Sequence, residues 1–391
     1  QRFAPFWSVG GGWNIHNEKF MKGSQVSLLK LRASVGYLGN INFNPYQALT
    51  TYSYNSSYFY GKGTGATPIT IGNPDLKWER TLSTNIGVDF TAFRGRVDLS
   101  ADYYIKNTDN LLLDITKAPS VGVITSRENI GEVQNSGFEL RLRTFPIQNK
   151  DWQWSLGLTY AYNKNKIKKI SNSLREQNEK NKSDNGVAPL PIYEEGQSLT
   201  ALKVVPSAGI DPVTGQEIFI KRDGAYTFVY DSNDKVIFGD TNPLGTGSIT
   251  SYLTYKRFAL SCSFLYSFGG SLYNETLATK VEGANPKYNA DERVLNDRWK
   301  TPGTVAKYKR IDDTTTPYQT SRFVEKNNFL RMSSLSLSYE VPTNFIQKYG
   351  LKRMFLELLT NDLFYLSTAK RERGLNYPYD RSFEFSVRFS L

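Results

Sequence analysis

The chain has 391 residues, of which 39% are hydrophobic and 14% aromatic, and a net charge of +11. No run approaches the roughly 20 apolar residues that a membrane-spanning helix needs, so a helical membrane protein is excluded. The basic residues are scattered, with short runs such as 164–169 and no helix-turn-helix, zinc-finger or RNA-binding signature, so the charge points to a solvated surface or to anionic lipid headgroups rather than to nucleic acid.

In chain order the sequence predicts strands near 3–13, 27–39, 76–93, 96–109, 127–146, 151–168, 246–256, 258–270, 328–341, 351–366 and 380–391. The signal is period-2 alternation, which places successive side chains on opposite faces. Ile86, Val88, Phe90 and Ala92 alternate with Gly87, Asp89 and Thr91. Val97, Leu99, Ala101, Tyr103 and Ile105 alternate with Asp98, Ser100, Asp102, Tyr104 and Lys106, and 93–96 joins the two runs as a hairpin. Phe138, Leu140 and Leu142 oppose Glu139, Arg141 and Arg143. The aromatic run from Trp152 to Tyr162, the run Phe258 to Phe268, and the end (Phe383, Phe385, Val387, Phe389, Leu391 against Glu384, Ser386, Arg388, Ser390) repeat the pattern.

Most runs reach nine residues or more. That suits the ~9–11 residues of a tilted membrane strand better than the ~5–6 of a globular sandwich. Connections alternate: 14–26, 93–96, 147–151, 256–258 and 342–350 are short or intermediate, whereas 40–75, 110–126, 169–245, 271–327 and 367–379 are long. Outer-membrane barrels keep short turns in the periplasm and long loops outside. The fold expected is all-β, a transmembrane antiparallel up-and-down β-barrel with about 11 strands in this chain. Bacterial barrels usually have an even strand count and cannot leave an edge open in lipid, so residues 1–391 are read as one part of a larger barrel.

Several phrases, in this order, resemble one family. They are LLKLRASVGYLGN (28–40), GNPDLKWE (72–79), NIGEVQNSGFELRL (129–142), GIDPVTG (209–215), GDTNP (239–243), FLRMSSLSLSYEVP (329–342) and NDLF (361–364). Together they look like the C-terminal barrel of SusC/RagA-type TonB-linked outer-membrane proteins of Bacteroidetes, across essentially the whole chain. The resemblance implies a 22-stranded barrel, of which this chain is half, with the plug domain and N-terminal strands absent. It implies energy from TonB through that missing N-terminal region, a SusD-like surface lipoprotein partner, and uptake of oligosaccharide or peptide. Family barrels more often end in Phe than in Leu391, and Phe389 keeps the aromatic register.

No catalytic constellation stands out, and no enzyme activity or cofactor is expected. With one Cys (Cys262) and one His (His16), a Cys/His metal site fails by counting. A Ser-His-Asp triad would need His16, which reads as a turn residue in WNIHNE. The candidate substrate contacts are Tyr52, Tyr54, Tyr58 and Tyr60 in a ring-rich loop (with Tyr46 and Phe59) and Trp299, since aromatic faces stack on sugars; rings also pack hairpins and girdle membranes. Asp89, Asp98, Asp102, Glu139, Arg141, Arg143, Glu384 and Arg388 are candidate lumen-lining residues, with mutual pairing, or pairing with water or plug, as the plainer reading. Asp211, Asp223, Asp231, Asp234 and Asp240 carry calcium-type ligands without EF-hand spacing, and read chiefly as turn chemistry. Residues 169–188 are expected to be a mobile surface loop, and 291–299, near Pro286, a short helix over the barrel mouth where a lid protein would touch. A passive porin, a surface adhesin or secretion-linked barrel, and a soluble carbohydrate-binding sandwich remain as alternatives to an active importer in the outer membrane.

Overall fold

The computed structural model describes residues 6–40, 49–61, 63–117, 120, 122–285, 287–288, 290–372 and 381–390. Eleven strands run antiparallel in one sheet, in strict chain order. They are β1 (Trp7–Asn14), β2 (Val26–Asn40), β3 (Glu79–Ala92), β4 (Val97–Thr116), β5 (Thr125–Gln148) and β6 (Trp152–Ile170). Then come β7 (Gly245–Tyr255), β8 (Phe258–Phe268), β9 (Phe329–Glu340), β10 (Arg353–Asn361) and β11 (Phe383–Ser390). A short segment, Tyr365–Ser367, continues the line of β10 beside β9. Each expected strand is present, and the up-and-down order makes this part of a β-barrel wall. Tyr46, Pro286 and Leu391 lie outside the described residues.

The pairing register explains why the alternation builds one surface. Leu31, Val88, Ala101, Leu140 and Tyr160 lie in one cross-strand row, and the row continues through Gly247 and Tyr266. Every strand thus turns its apolar set the same way. Those side chains are not buried against another layer: Ile86 is 58% exposed, Tyr103 49%, Leu358 47% and Phe385 66%. A soluble sandwich hides such a face in its core. Here it is the lipid-facing belt, since the hydrocarbon of a bilayer is its only low-cost solvent.

Irregularities mark where strands bend. Pro146 sits inside the β5–β6 register shift between Thr144 and Ile147, where a missing N–H breaks no ladder bond. Asn110, at φ 57°, sits in the β4–β5 shift, after which Ile115, with Leu111 and Leu113 beside it, turns into a buried cluster. This shift carries β4 and β5 well past the membrane belt, so much of the expected loop 110–126 is strand.

The long connections fold into a crown. Thr51–Tyr60 and Gly63–Thr70 form an antiparallel ribbon where a loop was expected. The segment 169–188 is not an irregular loop: helix α1 (Asn172–Lys182) begins at Ser171, whose hydroxyl accepts from the Leu174 N–H. Leu174, Asn178 and Asn181 form its buried stripe, the amides donating to the carbonyls of Tyr193 (2.5 Å) and Pro191 (2.7 Å). The helix expected at 291–299 is only Arg293–Asn296. Two dry cores hold the crown. Ile115, Ile130, Ile167, Ile170 and Leu174 join the tops of β4–β6 to α1, and Leu277, Ala278, Val281, Val294, Tyr308 and Phe323 fill the 271–327 connection.

Candidate functional site

The polar face of the sheet is a wall with two characters. Across β2–β5 it is charged. Arg32 Nε donates to Asp89 Oδ2 at 2.8 Å, and Arg32 Nη2 donates to Asp102 Oδ2 at 2.8 Å. The Ser100 hydroxyl donates to Asp89 Oδ1 at 2.9 Å. Gly87 lies directly under the guanidinium; a Cβ there would fall 2.8 Å from Arg32 Cζ. The triad is wet: the side chains of Arg32, Asp89 and Asp102 keep 35%, 28% and 20% of their surface. From β6 to β9 the same face turns to small hydroxyls. Thr159 pairs with Ser248, Thr250 with Ser263, and Ser261 with Ser336. At the far edge Arg388 pairs with Glu357.

The eight residues read from sequence as a polar lining all fall on this face, and they act in small groups. Asp89 and Asp102 share Arg32. Asp98 accepts from the Thr91 hydroxyl at 3.3 Å and lies opposite Arg143, whose guanidinium stacks over Phe145. Glu139 is the cross-strand neighbour of Asp102, Arg141 of Ser100, and Glu384 of Leu359. Arg32, the hub of the triad, was missed as a site residue, although it stands inside the phrase LLKLRASVGYLGN.

The aromatic candidates separate. Tyr52, Tyr54 and Tyr58 ride on the crown ribbon, 57%, 78% and 55% exposed, and the backbone of Tyr60 closes that ribbon opposite Gly63. Trp299 belongs to the 271–327 connection. Its Nε1 donates to the Pro212 carbonyl at 2.8 Å, and its ring packs on Gly215 of the GIDPVTG turn. Beside it opens a cavity of about 430 Å³ lined by Val294, Leu295, Arg298, Lys300, Arg310 and Ile311. Trp299 therefore holds two crown segments together as well as facing that cavity.

The five aspartates of 209–240 are turn caps, each bonded within its own turn or to a nearby one. Asp211 accepts from the N–H groups of Val213 and Thr214, Asp223 from Ala225, Asp231 from Asn233, Asp234 from Arg222 and Asp240 from Asn242. His16 Nδ1 donates to the Leu29 carbonyl at 3.2 Å in its turn.

Sequence reasoning missed the ionic centre of the crown. Arg322 donates to Glu217 (2.7 and 2.6 Å), to Glu282 (2.7 and 2.8 Å) and to the Lys307 carbonyl (2.8 Å). The side chains of Arg322, Glu217 and Glu282 keep only 9%, 3% and 0% of their surface. Burial alone would lower the Arg322 pKa; the two carboxylates outweigh it and raise it above the ordinary value. Nearby, Arg298 donates to the carbonyls of Val281 (2.6 Å) and Glu282 (2.8 Å), closing the open end of the wide helical turn Leu277–Glu282. Arg293 clamps Asp291 (2.7 Å) and Glu372 (2.9 Å) and depresses the pKa of both. No signal in the local sequence singles out these residues, because the partners are 40 and 105 positions apart for Arg322 and 79 apart for Arg293 and Glu372.

The comparisons agree with this architecture. Residues 3–191 match the family model described as "TonB dependent receptor-like, beta-barrel". TonB-dependent receptor P39 of Formosa agariphila is 26% identical over 93% of this chain and 39% of its own length. TonB-dependent receptor SusC of Bacteroides thetaiotaomicron is 28% identical over 86% of this chain and 34% of its own. Among solved structures, that of the RagAB peptide transporter superposes with a TM-score of 0.84 at 23% identity, covering 98% of this chain and 43% of that one. The chain thus spans roughly two fifths of the length of these relatives. The apolar belt, the sorted connections and these likenesses converge: the chain forms part of an outer-membrane β-barrel and resembles the TonB-dependent receptors of SusC type.

Proposed function

We propose that this chain is the wall and part of the outer crown of an active importer that takes up oligosaccharides or peptides using energy from TonB, with a SusD-like surface lipoprotein as partner. One observation carries the reading: a single register runs through eleven strands and turns an apolar belt to lipid and a hydrogen-bonded polar wall to the other side. A wall of that kind encloses a wet lumen. In this reading Asp89, Asp98, Asp102, Glu139, Arg141, Arg143, Glu384 and Arg388 line the lumen. Tyr52, Tyr54, Tyr58 and Trp299 offer aromatic faces to substrate at the mouth, and the Tyr60 side chain, also expected there, lies outside the described residues. The whole of residues 1–391 serves one barrel, and no bond is made or broken in transport.

Oligosaccharide is the favoured substrate class because the exposed rings of the crown ribbon suit the flat apolar faces of sugars. The test uses the full-length receptor in cells with and without TonB. Uptake of a labelled oligosaccharide that stops without TonB supports the proposal. Equal uptake in both strains supports a passive porin and sinks it. A labelled peptide run in parallel decides between the two substrate classes, and co-purification of a surface lipoprotein tests the partner.

A further inference from the structure

The charge of +11 is not spread evenly over the molecule. In the crown, several cations are matched within the chain, Arg175 with Glu195, Lys203 with Glu194, Arg293 with Asp291 and Glu372, and Lys309 with Asp313, while others such as Lys180, Lys221 and Lys300 stand free of carboxylates among the described residues. The short turns at the opposite, periplasmic end are different. Each carries at least one cation, here Lys22, Arg94, Lys150, Lys256 and Lys348 in chain order. Only Glu18 and Asp151 stand against them within the turns, and Glu18 accepts from the indole of Trp13 at 2.9 Å. Among the described residues, none of these five cations, nor Arg96, has a carboxylate at ion-pair distance.

The cations sit on an aromatic girdle. Trp13, Phe20, Phe93, Phe258, Phe345 and Tyr349 are each at least half exposed at this end. Lys256 lies 5.3 Å from the centre of the Tyr255 ring and Lys348 5.0 Å from that of Tyr349. Rings of this kind mark the headgroup level of a bilayer, so the charges lie at phosphate depth. Arg94 and Lys256 occupy left-handed backbone, at φ 59° and 52°, where glycine is the unstrained residue. Between the first two turns is a cavity of about 660 Å³ lined by Ser24, Gln25, Val26, Ser27, Phe93, Arg94 and Arg96. Its polar lining consists of two hydroxyls, an amide and two guanidinium groups, with no carboxylate; the Ser27 hydroxyl already donates to the Thr91 carbonyl at 3.1 Å, so the guanidinium groups, the amide and Ser24 are its open donors. That donor set fits a phosphodiester.

We propose that the periplasmic rim binds the headgroups of anionic phospholipids of the inner leaflet, and that the Ser24–Arg96 cavity is its most developed phosphate site. Lipid fits this rim better than an acidic protein segment does, because the same turns carry the girdle that touches the acyl region and the cations that reach the phosphate. The proposal rests on the membrane placement and is independent of the import reading.

The test is native mass spectrometry of the full-length receptor in detergent, titrated with phosphatidylglycerol and with phosphatidylcholine of identical acyl chains. Wild type retains the anionic lipid about fivefold or more over the zwitterionic one. The Lys22→Gln/Arg94→Gln/Arg96→Gln variant retains the two within about twofold. The Lys180→Gln/Lys221→Gln/Lys300→Gln variant, with the same charge loss in the crown, keeps the wild-type preference. Equal retention of both lipids by wild type overturns the proposal, as does a preference that survives the rim variant. Loss of bound phosphatidylglycerol to excess inorganic phosphate overturns it too, by making the cavity a free-phosphate site. A wild type that discriminates poorly between lipids but binds an acidic peptide has a protein-docking rim, which is again a refutation. Heat-modifiable migration on gels verifies that each barrel is folded. Should the triple variant not fold, Lys256→Gln/Lys348→Gln on the other turns must lower the preference at least by half.

Discussion

Replacing Arg322 by Met removes the one cation between Glu217 and Glu282 while keeping a long apolar side chain in its place. Five donor contacts go with it, four of them to carboxylates. The two carboxylates stay behind at 3% and 0% side-chain exposure with no counter-ion. Breaking a buried ion pair by deleting one partner costs about 3–5 kcal/mol, because the remaining charge is uncompensated. At about 1.4 kcal/mol per factor of ten, opening of the crown becomes roughly two to three and a half powers of ten more frequent. The barrel, held by its own ladder, is unaffected. Hydrogen exchange on the full-length receptor in detergent reads this directly: amides of 207–220 and 271–325 lose protection and those of β3–β8 do not. Unchanged protection of the crown refutes the assignment of Arg322 as the crown's ionic centre.

The wall triad supplies the contrast: Arg32→Met leaves Asp89 and Asp102 in a wet setting, so the receptor loses under about 1 kcal/mol, read as a denaturation midpoint close to wild type. A large drop would mean that this face is dry. Gly215→Ala combines left-handed backbone (φ +72°) with a Cβ 2.6 Å from Trp299 Cδ2, and costs about 2–4 kcal/mol locally. It shows as new protease cleavage near 209–220 and red-shifted Trp emission, and a variant as resistant as wild type counts against the packing described. Burial pushes the Tyr308 phenol up to about 12 and raises Tyr230 and Tyr273 as well. Their unfolded counterparts ionise near 10, so between about pH 10 and 12 the open crown releases protons that the closed one keeps. Crown stability is therefore full below pH 10 and falls above it, which tyrosinate absorbance and proteolysis together measure; a crown equally resistant at pH 9 and pH 12 contradicts the burial of these rings.

The sequence reveals the wall and conceals the crown for one physical reason. A strand in the wall meets lipid on one side and water on the other, so each residue declares its side by its own polarity, and period 2 can be read locally. In the crown, burial is decided by partners far along the chain. Arg322, Glu217 and Glu282 look like surface charges until the fold sets them together. Helix α1 hid behind the same effect: its buried stripe is Leu174, Asn178 and Asn181, at helical spacing, but two of the three are amides that enter the core only because carbonyls of Pro191 and Tyr193 wait there. The ribbon 51–70 escaped because both of its faces are polar or aromatic, which leaves no alternation to detect.

The phrases that carried the family resemblance gain a physical meaning from the same structure. Asn129 of NIGE donates to the carbonyls of Lys77 and Asn110 and accepts from the Lys77 N–H, while Glu79 of the 72–79 phrase accepts from the Leu112 N–H. Arg331 of the 329–342 phrase holds Asp362 of NDLF, a residue at φ 53° that breaks the strand between Asn361 and Tyr365. Asp211 folds the 209–215 turn onto which Trp299 packs. These signature residues satisfy backbone or charge, the first two sets where strands pass into the crown and Asp211 within the crown itself, and unmet polar groups in such places cost more than on a wetted surface. The exposed rings of the ribbon and the guanidinium groups of the periplasmic cavity satisfy no such internal need, so substrate and lipid contacts are better sought there than in the signature phrases.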